Sequence, residues 1–208
     1  REGVVVREGL AGESRGWQAL GVVGVEDDGA DRLLEWMRGA MAELGVGNPA
    51  ALACDVGPVI DQDAQAVIEQ HIAHMRSQGR KVHRAHRVAK GEAAPLAQGT
   101  YVLPTVVEIA HIHELQREVF GPVVHFLRYR REDLPSLMAQ INGTGYGLTM
   151  GLHTRIDETI AQVTAAAHAG NLYVNRNMVG AGVGVQPFGG EGLSGTGPKA
   201  GGPPDLYR

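Results

Sequence analysis

The chain has 208 residues, a formal net charge of -4 at pH 7 and a hydrophobic content of 43%. This length is enough for a sizeable core, and the balance of apolar and charged residues excludes disorder over most of the chain. The slightly acidic charge gives no basic surface of the kind that binds nucleic acid. Its one cysteine, Cys54, excludes an internal disulfide, and no apolar run is long enough to span a membrane, so we expect a cytoplasmic protein.

The first half of the chain predicts one strand followed by two amphipathic helices. Residues 19–25 form a short apolar run typical of a buried strand. In residues 31–44, leucines and methionines recur at helical spacing until Gly45, which ends the first helix. Asp61 suits the N-cap of a second helix, which stops at Gly79. A strand followed by helices with one apolar face indicates an α/β architecture.

Two segments in the middle of the chain have weaker patterns. Residues 80–90 combine arginines and lysines with His83 and His86, a composition that fits a solvated loop better than a phosphate-binding patch. Residues 101–109 are rich in β-forming side chains. Pro104 lies inside this run and cannot donate a ladder hydrogen bond, so we expect an edge strand or an interrupted one.

The second half of the chain alternates predicted strands and helices with short connections. In order, these are a strand at 123–129, a helix at 132–141, a strand at 148–153, a helix at 157–168 and a strand at 172–175. This alternation is typical of an α/β fold with a mainly parallel sheet flanked by helices. Ligands bind beyond the carboxyl ends of such strands, so we expect the site near the loops after Tyr129, His153 and Asn175.

Glycine is the residue type in excess, with 30 copies, and ten of them lie between Gly180 and Gly202. This distribution predicts a long C-terminal loop in which the backbone approaches other groups closely. Phe188 stands between glycine-rich stretches of this loop. We interpret it either as the wall of a pocket whose backbone amides face an anion, or as the inward side chain of a surface loop.

The sequence EVFGP at residues 118–122 joins a carboxylate, an aromatic ring and a tight turn before a predicted strand. Glu118 can accept hydrogen bonds from a ribose diol, and Phe120 can pack on a flat heterocycle. From the residues alone, the alternative is a solvated glutamate beside a phenylalanine of the core.

Two other candidate sites find no support in the sequence. His111 and His113 lie two residues apart, but no third ligand lies near them in the sequence, so we expect no metal. Cys54 lies between Ala53 and Asp55, without a neighbouring base or cation to activate its thiol.

Five motifs occur in an order that resembles the C-terminal part of the aldehyde dehydrogenase superfamily. They are GTYVLPT (99–105), EVFGP (118–122), GYGL (145–148), GNLYVN (170–175) and PFGGEGLSG (187–195). Within the superfamily, the chain is most similar to the dehydrogenase module of bifunctional proline utilisation A, as shown by the motifs TRIDE (154–158), NRN (175–177) and GVQPF (184–188). The resemblance implies oxidation of L-glutamate γ-semialdehyde, the open form of pyrroline-5-carboxylate, to glutamate with NAD.

The resemblance also implies roles for five residues. Glu118 corresponds to the carboxylate that binds the nicotinamide ribose, and Phe120 to the ring beside the nicotinamide. Gly180 and Ala181 correspond to the loop whose backbone amides anchor the substrate α-carboxylate. Phe188 resembles the aromatic wall that packs on the aliphatic part of the substrate. The implied chemistry is thiohemiacetal formation at a cysteine, hydride transfer to NAD, and thioester hydrolysis assisted by a glutamate.

The chain departs from the family pattern at the nucleophile. Trp17 stands where the family has its catalytic cysteine, and Gly16, Gly21 and Gly24 stand where this group usually has Arg, Arg and Cys. The Rossmann cofactor domain, the general-base glutamate and the oxyanion-hole asparagine do not match any part of these 208 residues. We therefore expect a partial catalytic domain that is inactive by itself.

The predicted organisation is a divergent segment at 1–18, a partial α/β catalytic domain at 19–179, and a glycine-rich substrate-anchoring loop and tail at 180–208. Its expected partners are a small-molecule substrate, NAD, and a second copy of the chain or a full-length subunit. Two other interpretations stay open. One is a non-catalytic fragment that pairs with intact subunits, and the other is an aldehyde dehydrogenase that accepts neutral aldehydes.

Overall fold

The computed structural model describes residues 4–7, 21–86, 99–176, 178, 185 and 188–195. The strands are β1 (Val4–Arg7), β2 (Val22–Glu26), β3 (Val82–Arg84), β4 (Thr105–Ile109), β5 (Val123–Tyr129), β6 (Tyr146–Gly147), β7 (Thr149–His153), β8 (Asn171–Val174) and β9 (Glu191–Gly192). The helices are α1 (Asp27–Glu43), α2 (Gln62–Ser77), α3 (Leu134–Gly143) and α4 (Asp157–Ala166). Among these helices, none is long and apolar enough to cross a bilayer.

Seven of the strands form one sheet in the order β3-β4-β5-β2-β1-β7-β8. The pairs β2 with β5, β4 with β5, and β7 with β8 are parallel. Because β1 is antiparallel to both β2 and β7, these two strands also share one direction. The strands β2, β4, β5, β7 and β8 therefore run the same way, which confirms the predicted α/β fold with a mainly parallel sheet.

Helices cover both faces of this sheet, and the side chains of β5 alternate between the two cores. On one face, Val124 and Phe126 are buried in the same core as Leu34 and Met41 of α1. On the other face, Leu127 is buried in the core that contains the apolar side chains of α2, α3 and α4. This period of two residues is the ordinary alternation of a strand buried on both faces.

The predicted first helix begins four residues earlier than expected, at Asp27 instead of residue 31. Asp27 and Asp28 lie in its first turn, where negative charge interacts favourably with the helix dipole. The second helix matches the prediction closely. The carboxylate of Asp61 caps it by accepting a hydrogen bond from the Ala64 N–H at 2.7 Å.

The last part of the predicted alternation is present, with small shifts of its ends. The strand predicted at 123–129 has these bounds in the structure. The helix predicted at 157–168 ends at Ala166, because Asn142 closes its carboxyl end. The Asn142 amide donates to the Ala166 carbonyl at 2.7 Å and accepts from the His168 N–H at 3.1 Å.

Of the expectations for the middle of the chain, the solvated loop and the edge strand are wrong, whereas a β-rich run interrupted at Pro104 is confirmed. The segment at 82–84 is not a solvated loop but strand β3, where His83 pairs with Glu108 at 2.8 Å and Arg84 forms a salt bridge with Glu69. Strand β4 is not an edge strand, since it lies between β3 and β5 and begins only after Pro104. The charged side chains of β3 have partners distant in the sequence, which is why this segment is not a solvated loop. Pro104 precedes β4, so it removes no hydrogen bond from the pairing of β4 with its neighbours.

Candidate functional site

A cleft of about 390 Å³ lies on the sheet face that α2, α3 and α4 cover. Gly21 and Val22 at the start of β2 line it, together with most of residues 112–119, which we call the 112–119 segment. His125 of β5 and Ser194 of the glycine-rich tail also line the cleft. The cleft therefore brings together parts of the chain that are more than 170 residues apart.

The cleft lies toward the beginnings of β2, β5 and β7, and not at the loops after Tyr129, His153 and Asn175 as expected. The reason is that the 112–119 segment leaves the end of β4 and leads back to the start of β5. A second cleft does lie after β5, where Arg131 forms a hydrogen bond with Glu26 at 2.6 Å. Four carboxylates and two arginines line this second cleft, so its lining is acidic and does not suit an anion.

Glu118 and Phe120 both point away from the packed interior, whereas Val119 between them is buried. Glu118 lines the cleft, and Phe120 keeps 49% of its surface exposed. Within the described residues, the Glu118 carboxylate has neither a hydrogen-bond partner nor a salt bridge. A carboxylate with unused acceptor sites fits a diol, and an exposed ring fits a flat heterocycle.

A glycine turn fixes the orientation of this pair. Gly121 has a φ of +154°, in a region that side chains disfavour, and a Cβ atom there would lie 2.5 Å from Cδ1 of Ile68. Ile68 of α2 is buried in the core, so it has little room to move. The contact between Gly121 and α2 lets the chain enter β5 directly after Phe120 has turned outward.

The glycines of the tail allow backbone to pack directly on backbone. A Cβ atom at Gly170 would lie 1.8 Å from the Gly189 carbonyl oxygen, and one at Gly192 would lie 2.3 Å from that of Gly145. Strand β9 pairs with β6, and Ser194 Oγ accepts a hydrogen bond from the Gly147 N–H at 3.1 Å. These contacts place Ser194 in the cleft with Glu118.

The other predicted site residues are separate from this cleft or lie outside the described residues. Phe188 is half-buried and does not line the cleft, although Gly189 next to it donates to Asn171 Oδ1 at 3.4 Å. Gly180, Ala181 and Trp17 lie outside the described residues. Their assigned roles stay predictions.

His125 in the wall of the cleft pairs with a second histidine, His71, and sequence reasoning missed this pair. His125 is 1% exposed, and its Nε2 lies 2.8 Å from Nε2 of His71 on α2. Burial lowers the pKa of His125 to about 4. Burial, followed by the charges of His74 and Arg117, lowers the pKa of His71 as well. A histidine in the apolar run of β5 was the sequence signal for a buried polar contact.

The sites rejected from the sequence have structural explanations. The Cys54 thiol donates to the Gly47 carbonyl at 3.0 Å, so it is held in a loop contact. The rings of His111 and His113 stack with their centroids 5.0 Å apart. In the part of the chain that the structure describes, three side chains that could hold a metal ion do not come together anywhere.

Comparison with known proteins gives a consistent set of relatives. Residues 18–207 match the model of the aldehyde dehydrogenase family. The chain is 63% identical over 190 residues to the bifunctional protein PutA of Escherichia coli K12, with 91% of this chain and 14% of that protein covered. It is 37% identical over 181 residues to the 1-pyrroline-5-carboxylate dehydrogenase of Bacillus cereus B4264, with 86% of this chain and 33% of that protein covered.

Solved structures show the same relationship. A mutant of proline utilization A from Bradyrhizobium japonicum superimposes with a TM-score of 0.84 at 45% identity, covering 94% of this chain and 19% of that one. PnpE from Pseudomonas sp. WBC-3 superimposes with a TM-score of 0.72 at 32% identity, covering 85% of this chain and 35% of that one. The chain thus spans about a third or less of the lengths of these proteins.

Proposed function

Because the chain belongs to the aldehyde dehydrogenase family, we propose that it is the C-terminal part of an NAD-dependent L-glutamate γ-semialdehyde dehydrogenase. Its relatives named PutA and 1-pyrroline-5-carboxylate dehydrogenase support this assignment within the family. In this role the enzyme oxidises the semialdehyde to glutamate during proline breakdown. The 208 residues supply part of the cofactor site and part of the substrate site.

The placement of Glu118 carries the cofactor half of the proposal. Its carboxylate lines the cleft and lacks partners among the described residues, so it has acceptor sites for the two hydroxyl groups of a ribose. Phe120, two residues later, offers an exposed ring that suits the face of a nicotinamide. When bound, NAD supplies the acceptor for the hydride of the aldehyde. The residues of this chain bind and orient it.

The substrate half of the proposal rests on the glycine-rich tail. Backbone amides at Gly180 and Ala181 suit a carboxylate, because amide N–H groups donate to anions without adding charge. Phe188 suits the methylene groups of a five-carbon amino acid. Strand β9 and the close glycine contacts fix the described part of the tail against β6.

We propose that the chain itself does not turn over substrate, because tryptophan at position 17 has no nucleophilic atom to form a thiohemiacetal. The test is an assay of the purified 208-residue chain with L-glutamate γ-semialdehyde and NAD, with NADH absorbance as the readout. No NADH should form above the background without protein. Steady NADH formation that depends on both substrates would contradict the assignment of Trp17 to the nucleophile position.

Binding of NAD by the same chain tests the role of Glu118 separately from turnover. Calorimetric titration with NAD should show binding that becomes roughly tenfold weaker in Glu118→Gln, because charge-assisted hydrogen bonds to the diol are lost. Glu158→Gln is the matched control, since Glu158 is an exposed glutamate of α4 that does not line the cleft. Equal affinity of the wild type and both variants would refute the role of Glu118.

A further inference from the structure

The histidine pair connects helix α2, strand β5 and strand β2 through side-chain nitrogens. Nε2 of His71 lies 2.8 Å from Nε2 of His125, and the two rings meet edge-on at an interplanar angle of 80°. Nδ1 of His125 lies 2.8 Å from the carbonyl oxygen of Gly21. The backbone N–H of His125 also donates to this oxygen, at 2.9 Å. Gly21 is therefore held by two hydrogen bonds from one residue.

This geometry determines where the protons are. The Gly21 carbonyl can only accept, so Nδ1 of His125 carries the hydrogen. A neutral imidazole carries one hydrogen, so Nε2 of His125 is an acceptor, and the 2.8 Å contact requires a donor at Nε2 of His71. One backbone carbonyl thus sets the tautomers of both rings.

We propose that His71 is a positioning residue, which orients the ring of His125 so that its Nδ1–H reaches the Gly21 carbonyl at the wall of the cleft. His71 does not line the cleft, whereas His125 and Gly21 both do. The contact at Nε2 of His71 orients the His125 ring, and the hydrogen bond from Nδ1 of that ring then holds the carbonyl of Gly21 in the cleft wall. The proposal concerns the same cleft as the proposed function but stands on hydrogen bonding within the chain, so it does not require NAD to bind.

The pair has a limited capacity for protons. A single added proton leaves one donor and one acceptor between the two Nε2 atoms, so the contact survives. A second proton gives two donors facing each other, which separates the rings. His74 of α2 and Arg117 of the 112–119 segment oppose positive charge on His71, and His71 opposes it on His125. Glu114 favours charge on His125, but burial outweighs it.

The first test reads the tautomers directly in the unmodified chain. Nitrogen-15 NMR of the imidazole rings at pH 7 should show His125 with hydrogen on Nδ1 and His71 with hydrogen on Nε2, both neutral. Protonated Nε2 on neutral His125, or a charged His125 at this pH, would overturn the proposal. This measurement needs no variant and no ligand, so it stays decisive if a substitution prevents folding.

The second test compares two variants of His71, of which one keeps a side-chain N–H donor and the other does not. His71→Gln keeps an N–H donor near the position of Nε2, and His71→Leu removes it. The probe is hydrogen exchange of the His125 backbone amide, which donates to Gly21. Exchange should be roughly tenfold faster in His71→Leu than in wild type, because the net loss of one hydrogen bond corresponds to about this factor. In His71→Gln the exchange rate should stay near that of the wild type. Equal exchange in both variants would refute a positioning role for His71.

Two variants of His125 itself keep a donor at different ring positions. His125→Asn keeps a donor near the position of Nδ1, and His125→Gln keeps one only near the position of Nε2. We expect exchange of the residue 125 amide to stay close to the wild-type rate in His125→Asn and to rise roughly tenfold in His125→Gln. The reverse order would show that the bond to Gly21 is not what the ring supplies.

Discussion

Asn142 at the end of α3 closes the carboxyl end of α4 by donating to the carbonyl of Ala166 at 2.7 Å. Its side-chain oxygen also accepts from the His168 N–H at 3.1 Å, so one amide group satisfies one backbone group at the end of α4 and one just beyond it. This contact joins the two helices on the side of the sheet that carries the cleft.

Replacing this amide should weaken the contact between the helices. Asn142→Ala removes both hydrogen bonds and leaves the Ala166 carbonyl and the His168 N–H without this partner, so we expect a loss of about 2 kcal/mol in the free energy of unfolding. Urea denaturation followed by circular dichroism measures it. Asn142→Asp puts a carboxylate oxygen against the Ala166 carbonyl at the negative end of the helix dipole, so its loss should be at least as large. A change within error for Asn142→Ala would contradict the capping role.

A partly buried ionic group stabilises the other edge of the sheet. Glu108 of β4 bonds to His83 of β3 at 2.8 Å and to Arg128 of β5 at 3.3 Å. Burial by itself raises the pKa of Glu108, but hydrogen bonds from His83 and Arg128 outweigh burial and lower it. The ion pair therefore favours the charged carboxylate.

Removing the charge of Glu108 should destabilise the fold far more than removing an exposed charge. We expect Glu108→Gln to lose about 2 kcal/mol, because the partly buried His83 would keep its desolvation without a charged partner. Arg128 would lose one of its two carboxylate partners and keep Asp31 at 2.7 Å. Glu132→Gln is the control, since Glu132 is 66% exposed in its pair with Arg130 and should change stability by less than about 1 kcal/mol. Equal losses in urea denaturation would contradict a special role for Glu108.

Acid should destabilise the chain through His125. Its pKa is lowered to about 4 in the folded state, whereas an unfolded histidine has its ordinary value near 6.5. Between these values the unfolded chain binds more protons, so stability falls as pH decreases from about 6.5 to about 4. For this one group the loss over the window is about 3 kcal/mol.

The variant His125→Asn isolates this contribution, because asparagine does not titrate. The free energy of unfolding should depend less steeply on pH in the variant than in the wild type, and the difference should be confined to the window between pH 6.5 and pH 4. Urea denaturation at half-unit pH intervals gives both slopes. Parallel slopes would show that His125 has similar proton affinity in both states.

The glycine contacts of the tail can be tested with one methyl group. In Gly170→Ala the new Cβ would lie 1.8 Å from the Gly189 carbonyl oxygen, so the backbone must move, and we expect a loss of about 2 kcal/mol. Gly143→Ala is the matched control, since a Cβ there meets nothing within 4 Å and alanine favours a helix. The NMR shift of the Gly147 amide, which donates to Ser194, should move in the first variant and stay in the second.

The second half of the fold was predictable because its signals are long. The apolar run that became β5 is seven residues, and its bounds were correct. Strands β1 and β3 have only four and three residues, and they are strands because of partners elsewhere in the chain. Such short strands carry too few residues for a periodic pattern. The start of α1 was missed because its first turn contains Asp27 and Asp28, which suit a helix N-terminus by their charge but do not extend the apolar pattern.

The site was predictable only where one motif contains it. The sequence EVFGP places Glu118, Phe120 and the turn at Gly121 within five residues, and its resemblance to a family motif predicted that both side chains face a ligand. The residues alone also allowed a phenylalanine of the core. His71 and His125 are 54 residues apart, and Gly147 and Ser194 are 47 apart. Neither pair has a local pattern, since each is brought together by the packing of α2 on β5 or of the tail on β6.

Strand β1 has a consequence for the cleft that follows from its place in the sheet. Four strands of the sheet lie on one side of β1 and two on the other. Among the described residues of the sheet, these two parts are connected only through the four residues of β1. Val22 in the cleft belongs to the larger part, and Thr149 to the smaller. The cleft therefore spans both parts, and the core on the same face joins them as well, because it contains Val22 and Leu127 of the larger part and Met150 of the smaller.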